Sequence, residues 1–313
     1  MQSLLEKFGL DIDTNFLGSG GECKAFYKGD GLVYKIYAKY NSQDNLERLQ
    51  SFYDSLDTSA VSFETPKIFD IQEHEEYMLV VEKMMEGICP TSNYLNSIST
   101  ETVREIIDNY IQVLFQVKNI NTDFFQENNP LNTTERFFVH KEYSSWKNLL
   151  IENLVHRYVP IRNLFAQSLT NSGAKYNFLL DILQELEYDN SLIHGDLTHE
   201  NILIDPKSYK ITSVIDFGGC TTIGDSIFDL AIGWAFLDRN KRKENLDISG
   251  IVLQSIFSKL SKYEQQKFAI YLLTYCFISA NMFANNNILE QHFRWCAKNL
   301  NNPIWWEMLG LQI

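Results

Sequence analysis

Along Phe16 to Tyr37 apolar and polar residues alternate, with aromatic and β-branched side chains prominent, and the run is broken at Gly18-Ser19-Gly20-Gly21 and at Gly29-Asp30-Gly31. A period of two interrupted by glycines predicts three short antiparallel strands joined by tight turns, because alternate side chains of a strand face opposite sides and glycine turns without steric penalty. From Asn41 to Leu56 the period lengthens. Leu46, Leu49, Phe52, Tyr53 and Leu56 fall near helical spacing, with Asn41 or Ser42 ahead of them as a cap, so a helix follows the third strand. Pro66 to Ile71 and Tyr77 to Val81 return to strand patterning across the acidic turn Glu73-His74-Glu75-Glu76, and Glu86-Gly87 ends the unit.

After Ile88 the period becomes helical through Ser99 to Asn119, Trp146 to Ser168 and Tyr176 to Leu186. A short β-rich island at Ser191 to Ile215 interrupts it, and helical patterning resumes from Phe228 to the end. No internal repeat and no low-complexity tract is present. The expected class is therefore α+β. A lobe at residues 1–87, a five-stranded antiparallel sheet plus one helix, precedes a mainly helical lobe at 88–313.

Composition trims the alternatives. Of 313 residues, 45% are hydrophobic and 21% charged, which suits a soluble protein with a sizeable core. The longest apolar stretch, Ile270 to Phe283, is interrupted by Thr274, Ser279 and Asn281 and reads as a buried helix rather than a membrane span. Met1 to Leu10 carries Glu6 and Lys7 and lacks a signal-peptide core. The five cysteines are scattered, without a Cys-x-x-Cys pair, so neither a disulfide framework nor a zinc site is expected. A cytoplasmic monomer is the expectation.

A formal charge of −13 argues against nucleic acid or an anionic membrane as partner. The same charge tempts one toward a cationic substrate. Its distribution weakens that step, since residues 1–87 hold 8 Lys and Arg against 16 Asp and Glu, a net of −8, leaving −5 for the remainder.

The densest chemistry is Leu192-Ile193-His194-Gly195-Asp196-Leu197-Thr198-His199-Glu200-Asn201-Ile202-Leu203-Ile204, followed by Val214-Ile215-Asp216-Phe217-Gly218. Each half is an apolar strand with a polar cluster beside it. Phosphoryl transfer asks for a carboxylate to orient a hydroxyl and hard oxygen ligands to gather phosphate oxygens around magnesium, which keeps few protein contacts. Asp196, Asn201 five positions on, and Asp216 on the next hairpin supply that set.

With Gly224-Asp225 and Asp229-Leu230-Ala231 downstream, these residues resemble the aminoglycoside phosphotransferase family, whose fold is protein-kinase-like with two lobes. The resemblance implies an ATP- or GTP-dependent kinase of antibiotics or small metabolites that uses Mg2+. Within it Asp196 of the catalytic loop 194–201 would be the base, Asn201 and Asp216 the magnesium ligands, with residues 216–218 forming the metal site, and His194 a structural support. Gly18, Ser19, Gly20 and Gly21 would line the nucleotide phosphates, although Cys23 stands where a protein kinase has a third glycine. Lys35, a charge inside the apolar strand Val33 to Tyr37, is the candidate phosphate-binding lysine, with Glu47 as its helix partner and Asp44 and Glu64 as competitors. The stretch 82–87 looks like the family's linker, where main-chain groups of Glu82 and Met84 would hold adenine. Asp225 and Asp229 either line the substrate end or brace the catalytic loop.

For the acceptor, Glu200, Asp238 and Glu290 are candidate ligands of a polar substrate. Trp234, Trp295, Trp305 and Trp306 offer stacking surfaces or core packing. A protein substrate is disfavoured, because no long activation segment follows Asp216 and Gly195 replaces the arginine that reads a phosphorylated loop. Tyr143-Ser144-Ser145-Trp146, Gly224-Asp225-Ser226 and Trp295-Cys296 are similar to hygromycin B phosphotransferases. The resemblance thus implies a cationic aminoglycoside acceptor. Choline, methylthioribose or a similar metabolite is the rival, and a regulatory pseudokinase a third reading.

Overall fold

The computed structural model describes residues 8–10, 15–19, 23–38, 42–125, 143–239, 247–282, 287 and 289–311. Strands β1 (Phe16–Ser19), β2 (Cys23–Gly29) and β3 (Leu32–Ala38) form an antiparallel meander. The β2–β3 turn puts Gly29, Asp30 and Gly31 all at positive φ, the reason two glycines flank it. Helix α1 (Gln43–Ser55) follows, capped by the Ser42 hydroxyl, which accepts from the Asn45 N–H. It buries Leu46, Leu49, Phe52 and Tyr53, each worth roughly 1.5–3 kcal/mol when fully removed from water.

Strands β4 (Ile68–Glu73) and β5 (Tyr77–Lys83) complete the sheet, in the order β1-β2-β3-β5-β4. β3 is central. Lys35 pairs with Val80 of β5 and Val33 with Glu82, so Lys35 and Glu82 share one face two residues apart.

Beyond the sheet come α2 (Ser92–Ser97) and α3 (Thr100–Gln116), which a 3-10 turn at Val117–Asn119 extends. The single helix expected at Trp146 to Ser168 is instead α4 (Trp146–Tyr158), a 3-10 turn at Val159–Ile161 and α5 (Arg162–Ser168). Pro160 lies in that turn and cannot donate the hydrogen bond that a continuous helix needs. Helix α6 (Ser172–Gln184) precedes the β island, which folds as two ribbons. In one, β6 (Ser191–Ile193) pairs with β9 (Thr222–Gly224); in the other, β7 (Ile202–Ile204) pairs with β8 (Ile211–Val214).

The remaining chain forms α7 (Ile227–Arg239), α8 (Ile248–Phe257), α9 (Lys262–Ser279), α10 (Gln291–Asn301) and α11 (Pro303–Met308). α9 starts at a capping box of Ser261 and Glu264 and is buried on every side from Lys267 to Ser279, as the unpatterned apolar stretch suggests. No helix among the described residues is long and apolar enough to cross a membrane.

The sheet and the helical part meet around Phe217, fully buried against Phe52 and Tyr53 of α1 with ring centroids 5.8 and 6.3 Å away. The Tyr53 hydroxyl donates to the Phe217 carbonyl (3.3 Å). Glu64 also bridges to Ser213 and Ile88 to Ile204, which ties both strands of the β7–β8 ribbon to segments flanking the sheet.

Candidate active site

The loop after β6 is held from beneath by a carboxylate. Asp229, in the first turn of α7, accepts from the His194 N–H through one oxygen and from the Gly195 N–H through the other, both at 2.8 Å. Burial pushes its carboxyl up to about 7, and the two amide bonds pull it back. Asp229 therefore braces the catalytic loop. Gly195 sits at φ +80°, where a β-carbon would collide with the main chain of Cys220, so no arginine can occupy it.

His194 ties the two loops together. Its Nδ1 accepts from the Asp196 N–H (3.3 Å), which places the ring proton on Nε2, and that group donates to the Ile215 carbonyl (2.9 Å). Burial lowers its pKa, so the ring is neutral. This is a support role.

Asp196 stands at the loop's mouth. Burial, and after it the nearby Asp216 carboxylate, push its carboxyl up to about 7, while the Asn201 hydrogen bond lowers it. The Asn201 side-chain amide donates to the Asp196 carbonyl (2.7 Å) and carboxylate (3.3 Å), leaving its own Oδ1 as a free acceptor. Asp216 is exposed, at φ +67°, and its carboxylate has no hydrogen bond or ion pair among the described residues. The Asn201 amide oxygen and the Asp216 carboxylate, both uncommitted among the described residues and beside the second carboxylate of Asp196, fit magnesium, which needs few protein ligands. No cluster of three or more His, Cys, Asp or Glu side chains placed to hold a metal ion occurs among the described residues.

On the sheet, Lys35 is paired with Glu82 at 2.8 Å, not with the expected Glu47. Glu47 points to solvent and accepts from Gln43 (2.7 Å), because the inward face of α1 is taken by Leu46, Leu49, Phe52 and Tyr53. The competitor Glu64 pairs with the exposed Lys83 (2.8 Å). Burial, the largest single influence, would lower the Lys35 pKa, but the Glu82 carboxylate together with smaller contributions from Tyr37, Tyr53 and Cys23 holds the lysine well above its ordinary value. Glu82 Oε1 is buried without a hydrogen-bond partner among the described residues. Cys23 lies near this pair and near Asp216, and burial pushes its thiol up to about 11.

The linker needs a second correction. The Met84 N–H is already donated to the Gly31 carbonyl (2.7 Å), and the main chain of Glu82 lies inside the sheet between Val33 and Ile68. Met85 is the first residue after them whose main-chain N–H and C=O have no hydrogen bond among the described residues. Of the glycine-rich stretch, Gly18 and Ser19 end β1, while Gly20 and Gly21 lie outside the described residues.

Beside the catalytic loop opens a cavity of about 890 Å³, walled by α2, His199, the ends of α7 and α8, and α10. Asp238 and Trp295 line it, and the Trp295 indole N–H donates to Asp238 (2.8 Å). Glu290 instead caps α10 by accepting from the Phe293 N–H (2.9 Å); burial would raise its carboxyl, yet amide hydrogen bonds hold it below the usual value. Glu200 is exposed beside His199. Trp234, Trp305 and Trp306 are packed in the core. Asp225 is likewise structural, because it pairs with Lys267 (2.7 Å) and accepts from Tyr271 (2.9 Å) and the Ile227 N–H (3.0 Å). The cavity also contains Arg239, Arg294 and Lys298, which the sequence motifs did not single out.

Residues 13–249 match the family model described as the phosphotransferase enzyme family. No curated protein sequence matches significantly. Among solved structures, the chain is similar to ADP-bound aminoglycoside phosphotransferase APH(2'')-Ib, with 14% identity, 98% of this chain and 97% of that chain covered, and a TM-score of 0.58. It is also similar to APH(2'')-IIa in complex with gentamicin (16% identity, 96% and 95% covered, TM-score 0.61). A third is APH(3'')-Id from Streptomyces rimosus (16% identity, 87% and 96% covered, TM-score 0.54). The two-part architecture is that of these protein-kinase-like enzymes, and with the family model spanning the sheet, both ribbons and α7, the chain belongs to the phosphotransferase enzyme family and is a phosphotransferase.

Proposed function

We propose that the chain is a small-molecule kinase that transfers the γ-phosphoryl group of ATP or GTP to a hydroxyl. The observation that carries this reading is the convergence of Asp196, Asn201 Oδ1 and the unpaired Asp216 at the mouth of one loop, held rigidly by Asp229 and His194. Residues 1–87 would form the nucleotide-binding lobe and 88–313 the acceptor lobe.

Asp196 accepts a hydrogen bond from the acceptor hydroxyl and takes its proton. The hydroxyl oxygen bonds to the γ-phosphorus as the bond to the β–γ bridging oxygen breaks, and that electron pair leaves with the nucleoside diphosphate. Asn201 Oδ1 and Asp216 would hold Mg2+, which when bound neutralises charge on the phosphate oxygens. Lys35, fixed by Glu82, presents its ammonium to the phosphates, and Met85 offers the free main-chain pair to the base. The nucleotide is supported by relatives whose structures hold ADP or GDP.

The test is Asp196→Asn, assayed by nucleoside diphosphate release against a panel of small alcohols with magnesium. Turnover should fall about a hundredfold or more while nucleotide still binds. Unchanged turnover would remove Asp196 from the mechanism. The aminoglycoside acceptor rests on relatives whose structures hold gentamicin or kanamycin, whereas the chain's own cavity lining speaks to acceptor charge.

A further inference from the structure

The cavity beside Asp196 has the opposite electrical character from the molecule around it. The chain carries −13, yet Arg239, Arg294 and Lys298 line this cavity against one carboxylate, Asp238, which already accepts from the Trp295 indole. None of the three cations has an ion-pair partner among the described residues. Among the described residues Arg239 donates to His292 Nδ1 (3.2 Å) and lies over the Phe236 ring (4.7 Å), and its charge is also felt by the Asp196 carboxyl. Glu290 feels Arg239 but is not paired with it, and its oxygen is committed to capping α10.

Arg294 and Lys298 stand four residues apart on exposed positions of α10, so the helix presents two cations on one face toward the cavity. His199 adds an independent sign of a missing ligand. It is 2% exposed, lines the cavity, and its Nδ1 is buried with no hydrogen-bond partner among the described residues. A buried ring nitrogen normally finds a hydrogen bond, so something other than protein is expected there.

We propose that the acceptor is an anionic small molecule, an alcohol carrying a carboxylate or a phosphate, which Arg239, Arg294 and Lys298 bind while His199 Nδ1 pairs with one of its hydroxyls. Arginines present a planar fork that matches either anion. A polycationic acceptor would meet three like charges here instead. The inference rests on the kinase reading for the word acceptor, but the charge class of the bound molecule is testable without turnover.

The experiment measures direct binding to the full-length protein, with magnesium and a non-hydrolysable nucleotide at low salt. The probes are gluconate, glycerate, glucose 6-phosphate and glycerol 3-phosphate, against glucose, glycerol, glucosamine and kanamycin. At least one anion should bind about tenfold or more tightly than its neutral counterpart, and added salt should weaken it. Whether hydroxy acids or phosphate esters bind better identifies the anionic group. Arg294→Glu with Lys298→Glu should weaken that anion about tenfold or more, with an unchanged melting temperature because both side chains are exposed. Tighter binding of kanamycin or glucosamine than of every anion overturns the proposal, as does an anion affinity indifferent to the double charge reversal, or no anion binding at all. Failure of the kinase reading is separate and appears as loss of nucleotide binding with no Asp196-dependent nucleotide consumption.

Discussion

Among the described residues two lysine–carboxylate pairs of nearly equal length are removed from solvent, Lys35–Glu82 at 2.8 Å and Lys267–Asp225 at 2.7 Å. Their surroundings differ. Asp225 is fully served, by Lys267, the Tyr271 hydroxyl and the Ile227 N–H, and it fastens α7 to α9. Glu82 has one oxygen on Lys35 and the other without a partner among the described residues, on the sheet face that also carries Cys23. A buried charge tolerates removal of its partner badly in either case, but only the incompletely satisfied pair keeps interactions in reserve for a ligand. The difference separates a structural brace from a binding element although sequence and distance look alike.

That contrast can be broken experimentally. The largest expected effect is Asp225→Ala, which strands the Lys267 ammonium and should cost about 3–5 kcal/mol in thermal or denaturant unfolding. A neutral Lys267→Met with Asp225→Asn should not recover the parent stability, because the Tyr271 and Ile227 donors reach different carboxylate oxygens and asparagine offers an acceptor to only one of them. Second, Lys35→Met combined with Glu82→Gln removes both charges of the cleft pair. Stability should stay within about 1 kcal/mol of the parent, while turnover falls about a hundredfold, equivalent to about 2.7 kcal/mol. If activity survived, Lys35 would be a second structural brace and the contrast would collapse.

Smaller changes sharpen it. Tyr271→Phe deletes one hydrogen bond to the buried Asp225 carboxylate and should lower stability by about 1.5 kcal/mol, with turnover preserved. Glu47→Gln, at an exposed position on α1, should shift stability by no more than about 0.5 kcal/mol and leave nucleotide affinity alone. A marked loss of nucleotide binding in that variant would revive Glu47 as the lysine's partner.

Legibility in the sequence followed the distance over which each interaction acts. The meander of β1 to β3 was readable because a period of two and the Gly29-Asp30-Gly31 turn are local properties. Asp196, Asn201 and Asp216 were readable as a group because two short ribbons deliver them within 21 positions of sequence. Pro160 was visible, yet the helix was drawn through it. The Lys35 partner was missed because it depends on the register of β3 against β5, set by strands more than forty residues apart. Helical spacing favoured Glu47, and the packing of Phe52 and Tyr53 turned it outward.

By itself the sequence determined the class of chemistry: a carboxylate, an amide and a second carboxylate at fixed spacing beside apolar strands, in a chain whose order of elements matches a phosphotransferase. Only the tertiary structure decided which carboxylate holds Lys35, that Asp225 and Asp229 brace rather than bind, and that the cavity beside Asp196 gathers cations from α7 and α10 inside an acidic protein. The physical reason is that charge and hydrogen bonding act across a few ångströms of space. Net composition averages over the whole surface, so it cannot report the sign of a pocket assembled from α2, the catalytic loop, α7 and α10, segments distant along the chain that folding brings within reach of one another.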